Sequence, residues 1–124
     1  MPARRINSRQ RGRLAENVAL KYLENHGLKL VTRNYHASGG EIDLIMQDRE
    51  TIIFIEVRYR ENSNHHNPAE SIDPGKCRRI INTSQRFLQV NRKMTTLDCR
   101  FDVIILSGSL EKPSVEWINN AFQA

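Results

Sequence analysis

Glu41 and Asp43 stand one residue apart in the stretch GGEIDLI, and Glu56 interrupts the apolar run IIFIEV a short distance downstream. Side chains alternate along an extended strand, so Glu41 and Asp43 share one face while Ile42, Leu44 and Met46 share the other. On the following segment Ile52, Phe54, Glu56 and Arg58 share a face. The QDRE connection between the two segments is short enough for a hairpin. If its loop holds an even number of residues, one register sets Asp43 opposite Glu56 and Glu41 opposite Arg58. Directly opposed β-carbons lie roughly 4.5–5.5 Å apart, and two like charges at that distance weaken a sheet unless something neutralises them. A divalent cation would do so. Hard magnesium or manganese prefers carboxylate oxygen, keeps several waters, and in phosphodiester hydrolysis polarises a phosphoryl oxygen while activating a water. The peptide carbonyl of Val57 is a further candidate oxygen ligand. The plain alternative for each acid is a solvated strand end, and for Glu56 a salt bridge to Arg58 with no metal. Glu56 nonetheless requires a partner of some kind, because an unpaired carboxylate inside an apolar run is costly to bury.

The elements that must carry these residues follow from periodicity. From Ser8 to about His26, Leu14, Ala15, Val18, Ala19, Tyr22 and Leu23 recur at helical spacing and Gly27 supplies a stop. Leu28 to Arg33 predicts a short strand, NYHASGG a turn, and Glu41–Gln47 and Thr51–Tyr59 the acid-bearing hairpin. Residues 61–70, ENSNHHNPAE, are polar without periodicity and predict an exposed, mobile loop. A second helix follows, with Asp73 as N-cap, Pro74 at its first position and an apolar stripe of Ile80, Ile81, Ser84, Phe87 and Leu88. Arg100–Leu106 predicts a buried strand and Ser114–Ile118 a short final one. The order α-β-β-β-α-β-β implies an α/β fold with a mixed sheet flanked by helices. Its third strand, apolar on both faces, belongs at the centre.

With 124 residues, 39% of them apolar and 27% charged, the chain has enough material for one hydrophobic core. A mean hydropathy of −0.58 and the lack of a long apolar run argue against membrane residence. Nothing marks the chain for secretion, so the expected compartment is the cytoplasm. Cys77 and Cys99 form neither a disulfide framework nor a zinc motif and are expected to be reduced, structural thiols. The net charge is +5, and Arg4, Arg5, Arg9, Arg11 and Arg13 crowd the first thirteen residues with no acid among them. Such a cluster suits a polyanion, nucleic acid above all, because each neutralised phosphate releases counterions. The alternative is a solvated arm. His65 and His66 are adjacent and lack the spacing of a zinc site. Trp117 is expected in the core or an interface, and Tyr35, between Arg33 and His36, is a candidate for touching nucleic acid.

GGEIDLI, a short turn and FIEVRYR together resemble the core of the PD-(D/E)xK restriction-endonuclease-like superfamily. Over nearly everything after the basic arm, AENVALKYLENHGLKLVTRNY, GEIDLI, FIEV, DPGKCRRI and RFDVI resemble the YraN family of uncharacterised bacterial proteins, itself similar to archaeal Holliday-junction resolvases. The resemblance implies a restriction-endonuclease-like domain over residues 14–124 after a flexible basic arm over residues 1–13. It also implies magnesium or manganese held by Glu16, Asp43 and Glu56, branched or structured DNA as the substrate, and a homodimer. Glu16, at the edge of the first helix's apolar stripe, suits an inward-reaching acid and equally an ordinary surface glutamate.

One position departs from the superfamily pattern. Arg58 stands where the motif places lysine. Lysine can lose its proton and orient the attacking water, whereas arginine offers only charge and hydrogen-bond donors. Lys76, in the first turn of the second helix, is a candidate replacement; as a plain surface residue it would belong with Arg78 and Arg79 to a solvated or phosphate-binding face. The sequence therefore supports two functions: a metal-dependent endonuclease with Asp43, Glu56, Arg58 and Lys76 at its centre, or a nucleic-acid-binding or adaptor protein that keeps the fold without the chemistry.

Overall fold

A computed structural model of the chain describes residues 6–37, 39–61 and 72–124. Helix α1 (Ser8–Asn25) starts from a reciprocal cap. The Asn7 side chain accepts from the Gln10 N–H, and the Gln10 side chain accepts from the Asn7 N–H. Residues 8–13 are therefore helical, which places Arg9, Arg11 and Arg13 on the first turns of α1; Arg4 and Arg5 lie outside the described residues. Ala15, Ala19 and Leu23 form the buried stripe, while Leu14, expected within it, is exposed.

The remaining elements are β1 (Lys29–Ala37), β2 (Gly40–Asp48), β3 (Thr51–Arg60), α2 (Pro74–Val90), β4 (Asp98–Ser107) and β5 (Ser114–Phe122). They build a five-stranded sheet in the order β1-β2-β3-β4-β5. β3 is central, as its two apolar faces require, running antiparallel to β2 and parallel to β4. The parallel pair needs a crossover, which contains α2. The two helices cover opposite faces. Under α1 lie Leu44, Met46, Ile53, Ile55, Ile104 and Leu106; under α2, capped by Asp73 with Pro74 at its start, lie Ile42, Ile45, Ile52, Phe54 and Phe101. This is the mixed sheet flanked by helices that the order of elements predicts. Among the described residues no helix is long and apolar enough to cross a membrane.

Several details differ from the expectation. β1 extends to Ala37, since the polar segment after Arg33 pairs with β2 as Tyr35↔Ile42, His36↔Glu41 and Ala37↔Gly40. β5 likewise extends to Phe122. More important for the site, Ile42 does not share a face with Leu44 and Met46. It packs beneath α2 while they pack beneath α1. The alternation is reset at Asp43, and β1 is distorted opposite this point: Asn34 adopts φ 54°, a left-handed conformation that asparagine tolerates better than most residues. Gly40 brings the hairpin against α2, where a β-carbon would collide with Thr83 Oγ1 and lie 3.1 Å from the Arg79 carbonyl oxygen.

Candidate functional site

The β2–β3 hairpin turns through Arg49 and Glu50, an even loop, and its ladder runs from Asp48↔Thr51 to Leu44↔Ile55. One step further the same register sets Asp43 against Glu56, but the ladder has ended and the strands part. The Asp43 side chain fills the gap: Val57 N–H donates to Asp43 Oδ2 at 2.8 Å. Glu41, expected opposite Arg58, is beyond the β2–β3 pairing. It faces β1, where its Oε1 lies 3.4 Å from His36 Nε2 in an exposed contact.

Asp43 and Glu56 are thus brought together in a poorly solvated place. Burial is the main reason the Asp43 carboxyl is pushed from 3.8 up to about 9; a hydrogen bond to the Glu56 side chain and the Glu56 charge act in the same direction, as does the charge of Glu16, against the pull of the Val57 amide. Glu56 is 5% exposed. Its cation is Lys76, the third residue of α2, whose ammonium forms an ion pair with Oε2. Arg58 follows on the same strand face, half-buried.

Glu16 approaches from α1. Its Oε1 is buried without a hydrogen bond and lies 3.6 Å from Arg33 Nη2, an ion pair beyond hydrogen-bonding distance. Among the described residues no three His, Cys, Asp or Glu side chains converge into a ready ligand cage. Lys76 pairs with Glu56, and Arg33 lies beside Glu16. The donor set itself suits a hard divalent ion, because it consists of carboxylate oxygens, one of which, Glu16 Oε1, is buried without a hydrogen bond.

A cleft of about 500 Å³ opens over these groups, with Asp43, Glu56 and Glu41 on one side and Lys76, Arg79 and His36 contributing cationic or ionisable groups. Arg79 was not singled out in the sequence for this site; its position one helical turn after Lys76 was the available signal. Of the amino-terminal arginines, Arg9 and Arg13 line a neighbouring concavity with Glu16, whereas Arg11 pairs with Glu61 at 2.7 Å. His65 and His66 lie outside the described residues. Cys77 and Cys99 are free thiols, Cys99 exposed. Tyr35 packs edge-on against Phe87 in the core, and Trp117 lies against the α1-side core. Sequence reading overlooked Asp102, an acid with 0% exposure inside the apolar run of β4.

Comparison with known proteins gives a consistent picture. The profile of the Uncharacterised protein family UPF0102 matches residues 15–106. A UPF0102 protein of Chromohalobacter salexigens is 44% identical over 118 residues, covering 95% of this chain and 94% of its own length. One from Psychromonas ingrahamii is 46% identical over 120 residues, covering 94% and 92%. Another, from Stutzerimonas stutzeri, is 38% identical over 117 residues, covering 94% and 98%. The matched segment contains Glu16, Asp43, Glu56, Arg58 and Lys76.

Proposed function

We propose that this chain, which belongs to the Uncharacterised protein family UPF0102, is a divalent-metal-dependent phosphodiesterase acting on branched or otherwise structured DNA. The observation that carries the reading is the Asp43–Glu56 pair, two carboxylates placed against each other in a cleft with a third acid, Glu16, close enough to be felt. Lys76 neutralises one member of the pair, and the Asp43 carboxyl is left crowded by acids in a way that a bound divalent ion would relieve.

Asp43 and Glu56 would hold magnesium or manganese, with Glu16 and the Val57 carbonyl as further oxygens. When bound, the ion would supply Lewis acidity to a phosphoryl oxygen and lower the pKa of a water. The protein's own groups do the rest. The Val57 amide fixes one Asp43 oxygen. Lys76 Nζ, once released from Glu56, would orient a water and stabilise charge on the phosphate, a task Arg58 would share as a donor of charge and hydrogen bonds. Hydrolysis then joins the water oxygen to phosphorus and breaks one ester bond, the departing oxygen taking up a proton.

Manganese titration of the wild type, Asp43→Asn and Glu56→Gln tests this reading, together with cleavage of branched, single-stranded and duplex DNA. Binding by the wild type that both substitutions abolish is the expected result. Absence of binding, or binding insensitive to both changes, overturns it. One observation favours a second reading, a nucleic-acid-binding or adaptor domain without catalysis: Lys76 already neutralises Glu56. DNA binding without metal uptake would select it.

A further inference from the structure

Three concavities adjoin at the end of the sheet where β2 and β3 part. The acid cleft is the middle one. It shares His36 and Glu41 with the concavity beside α1, where Arg9 and Arg13 sit, and shares Ala37 with a third that runs along α2 past Asn82, Gln85, Arg86 and Gln89. Charge differs sharply along this series. Asp43 and Glu56 line only the middle one, while the outer two carry arginines and neutral amides, with Glu16 lining the one beside α1 and Glu41 shared between that one and the cleft.

Helix α2 is unusual for a solvated helix. From Pro74 to Val90 it contains four cations, Lys76, Arg78, Arg79 and Arg86, and no aspartate or glutamate, and Arg92 and Lys93 follow directly. It therefore has none of the i,i+4 ion pairs that support exposed helices. Three of its cations also crowd the first two turns, where the helix dipole disfavours them. Arg79, Asn82, Gln85, Arg86 and Gln89 are exposed. An unbalanced cationic and amide face is suited to phosphate oxygens, which accept from guanidinium and carboxamide N–H groups irrespective of base sequence. Arg79 and Arg86 are two turns apart, about 10 Å along the axis, so they reach different phosphates of one backbone that advances about 3.4 Å per nucleotide.

We infer that a nucleic-acid backbone crosses this end of the molecule, from Arg9 and Arg13 on α1, over the acid cleft, and along the acid-free face of α2, where Arg86, Asn82 and Gln85 contact its phosphates. The inference rests on the proposed function for the place of the reacting phosphate; the path itself rests on the charge pattern. It moves much of the grip from the amino-terminal segment to α2.

The test is binding of the full chain to a labelled four-way junction and a labelled duplex, followed by fluorescence anisotropy in EDTA so that nothing is cleaved, with salt raised from about 50 to 200 mM. Arg86→Ala should weaken both complexes about three- to tenfold and lower the salt slope by about 0.9, the contribution of one duplex phosphate contact. Arg86→Glu should cost more, and Arg9→Glu should act in the same direction from the other flank. Lys29→Glu and Arg49→Glu, at the opposite end of the sheet, should leave affinity unchanged. Circular dichroism confirms that each variant is folded, and Arg86, being exposed, has no packing to lose.

Wild-type affinity and slope in Arg86→Glu overturn the path, as does an equal loss in Lys29→Glu, or no DNA binding by the wild type. A path for an acidic protein on α2 would show as the first of these outcomes. Metal-dependent cleavage that persists with an unaffected Arg86→Glu complex sinks the path and spares the proposed function. The converse, an Arg86-dependent complex without metal uptake, sinks the catalytic reading and spares the path.

Discussion

Asp43 and Asp102 are both aspartates on strands of the same sheet, and their surroundings are opposite. Asp102 is wrapped in donors: Arg100 Nε–H reaches both carboxylate oxygens at 3.1 and 3.2 Å, Trp117 Nε1–H donates at 2.9 Å, and the Asn120 N–H donates at 2.8 Å. Among the described residues, Asp43 has one N–H donor, from Val57, and two acids as neighbours. The chain is therefore able to build a complete donor shell around a buried carboxylate and does so where the carboxylate ties β4 to β5. At Asp43 the described residues supply no such shell. A carboxylate left short of donors and crowded by its own kind is poor architecture and a good ligand.

The same substitution at the two positions tests this contrast most strongly. Asp43→Asn should lower metal-dependent cleavage by about 10³-fold or more, as expected for loss of a group that organises transition-state charge stabilisation, whereas folded Asp102→Asn should cleave within a few-fold of wild type. Equal losses would erase the distinction. For stability the order reverses. Asp102→Asn removes the charge that Arg100, partly exposed, pairs with and turns an acceptor into a donor facing N–H groups, and should destabilise the protein by about 1–3 kcal/mol in denaturant unfolding, while Asp43→Asn should leave the metal-free protein as stable or more so.

Gly40→Ala comes next. Its β-carbon would strike Thr83 Oγ1, whose single O–H has the Arg79 carbonyl oxygen at 2.8 Å and the Ala37 carbonyl oxygen at 3.2 Å as acceptors, so that moving it aside disturbs this hydrogen bonding. A cost of about 1–3 kcal/mol is expected from such overpacking, with a loss of metal affinity as the hairpin bearing Asp43 separates from the helix bearing Lys76. Unchanged melting and metal binding would show that the two elements are not coupled there.

The gentlest test is pH. Between the unfolded value of 3.8 and the folded value of about 9, the Asp43 carboxyl holds a proton in the folded state that it has released in the unfolded one. Metal-free stability should therefore fall as pH rises from about 5 to 8, since the folded state binds more protons over that window. Asp43→Asn should flatten the slope, and manganese should reverse the loss. A metal-free stability that rises over this range would contradict the crowding of Asp43.

Much of this was legible in the sequence because it is local. Hairpin parity and alternation set Asp43 against Glu56, and the two apolar faces of IIFIEV placed β3 in the middle. The reset at Asp43 was not legible, since it depends on a left-handed Asn34 on another strand, and with it went the face of Ile42 and the partner of Glu41. Asp102 carries the same signature as Glu56, an acid in an apolar run, but its donors come from positions 100, 117 and 120, which nothing local brings together. The partner that burial demanded for Glu56 arrives as Lys76 from across the β3–β4 crossover.

The Val57 amide has a use beyond holding a side chain. Its hydrogen is bound to a carboxylate in a position where a neighbouring strand would ordinarily supply a peptide oxygen. A single backbone resonance, labelled with nitrogen-15 and needing no added probe, thus watches the state of Asp43 from inside the sheet. Its chemical shift should respond to occupancy of the cleft, and its exchange with solvent deuterium should quicken when that carboxylate turns away.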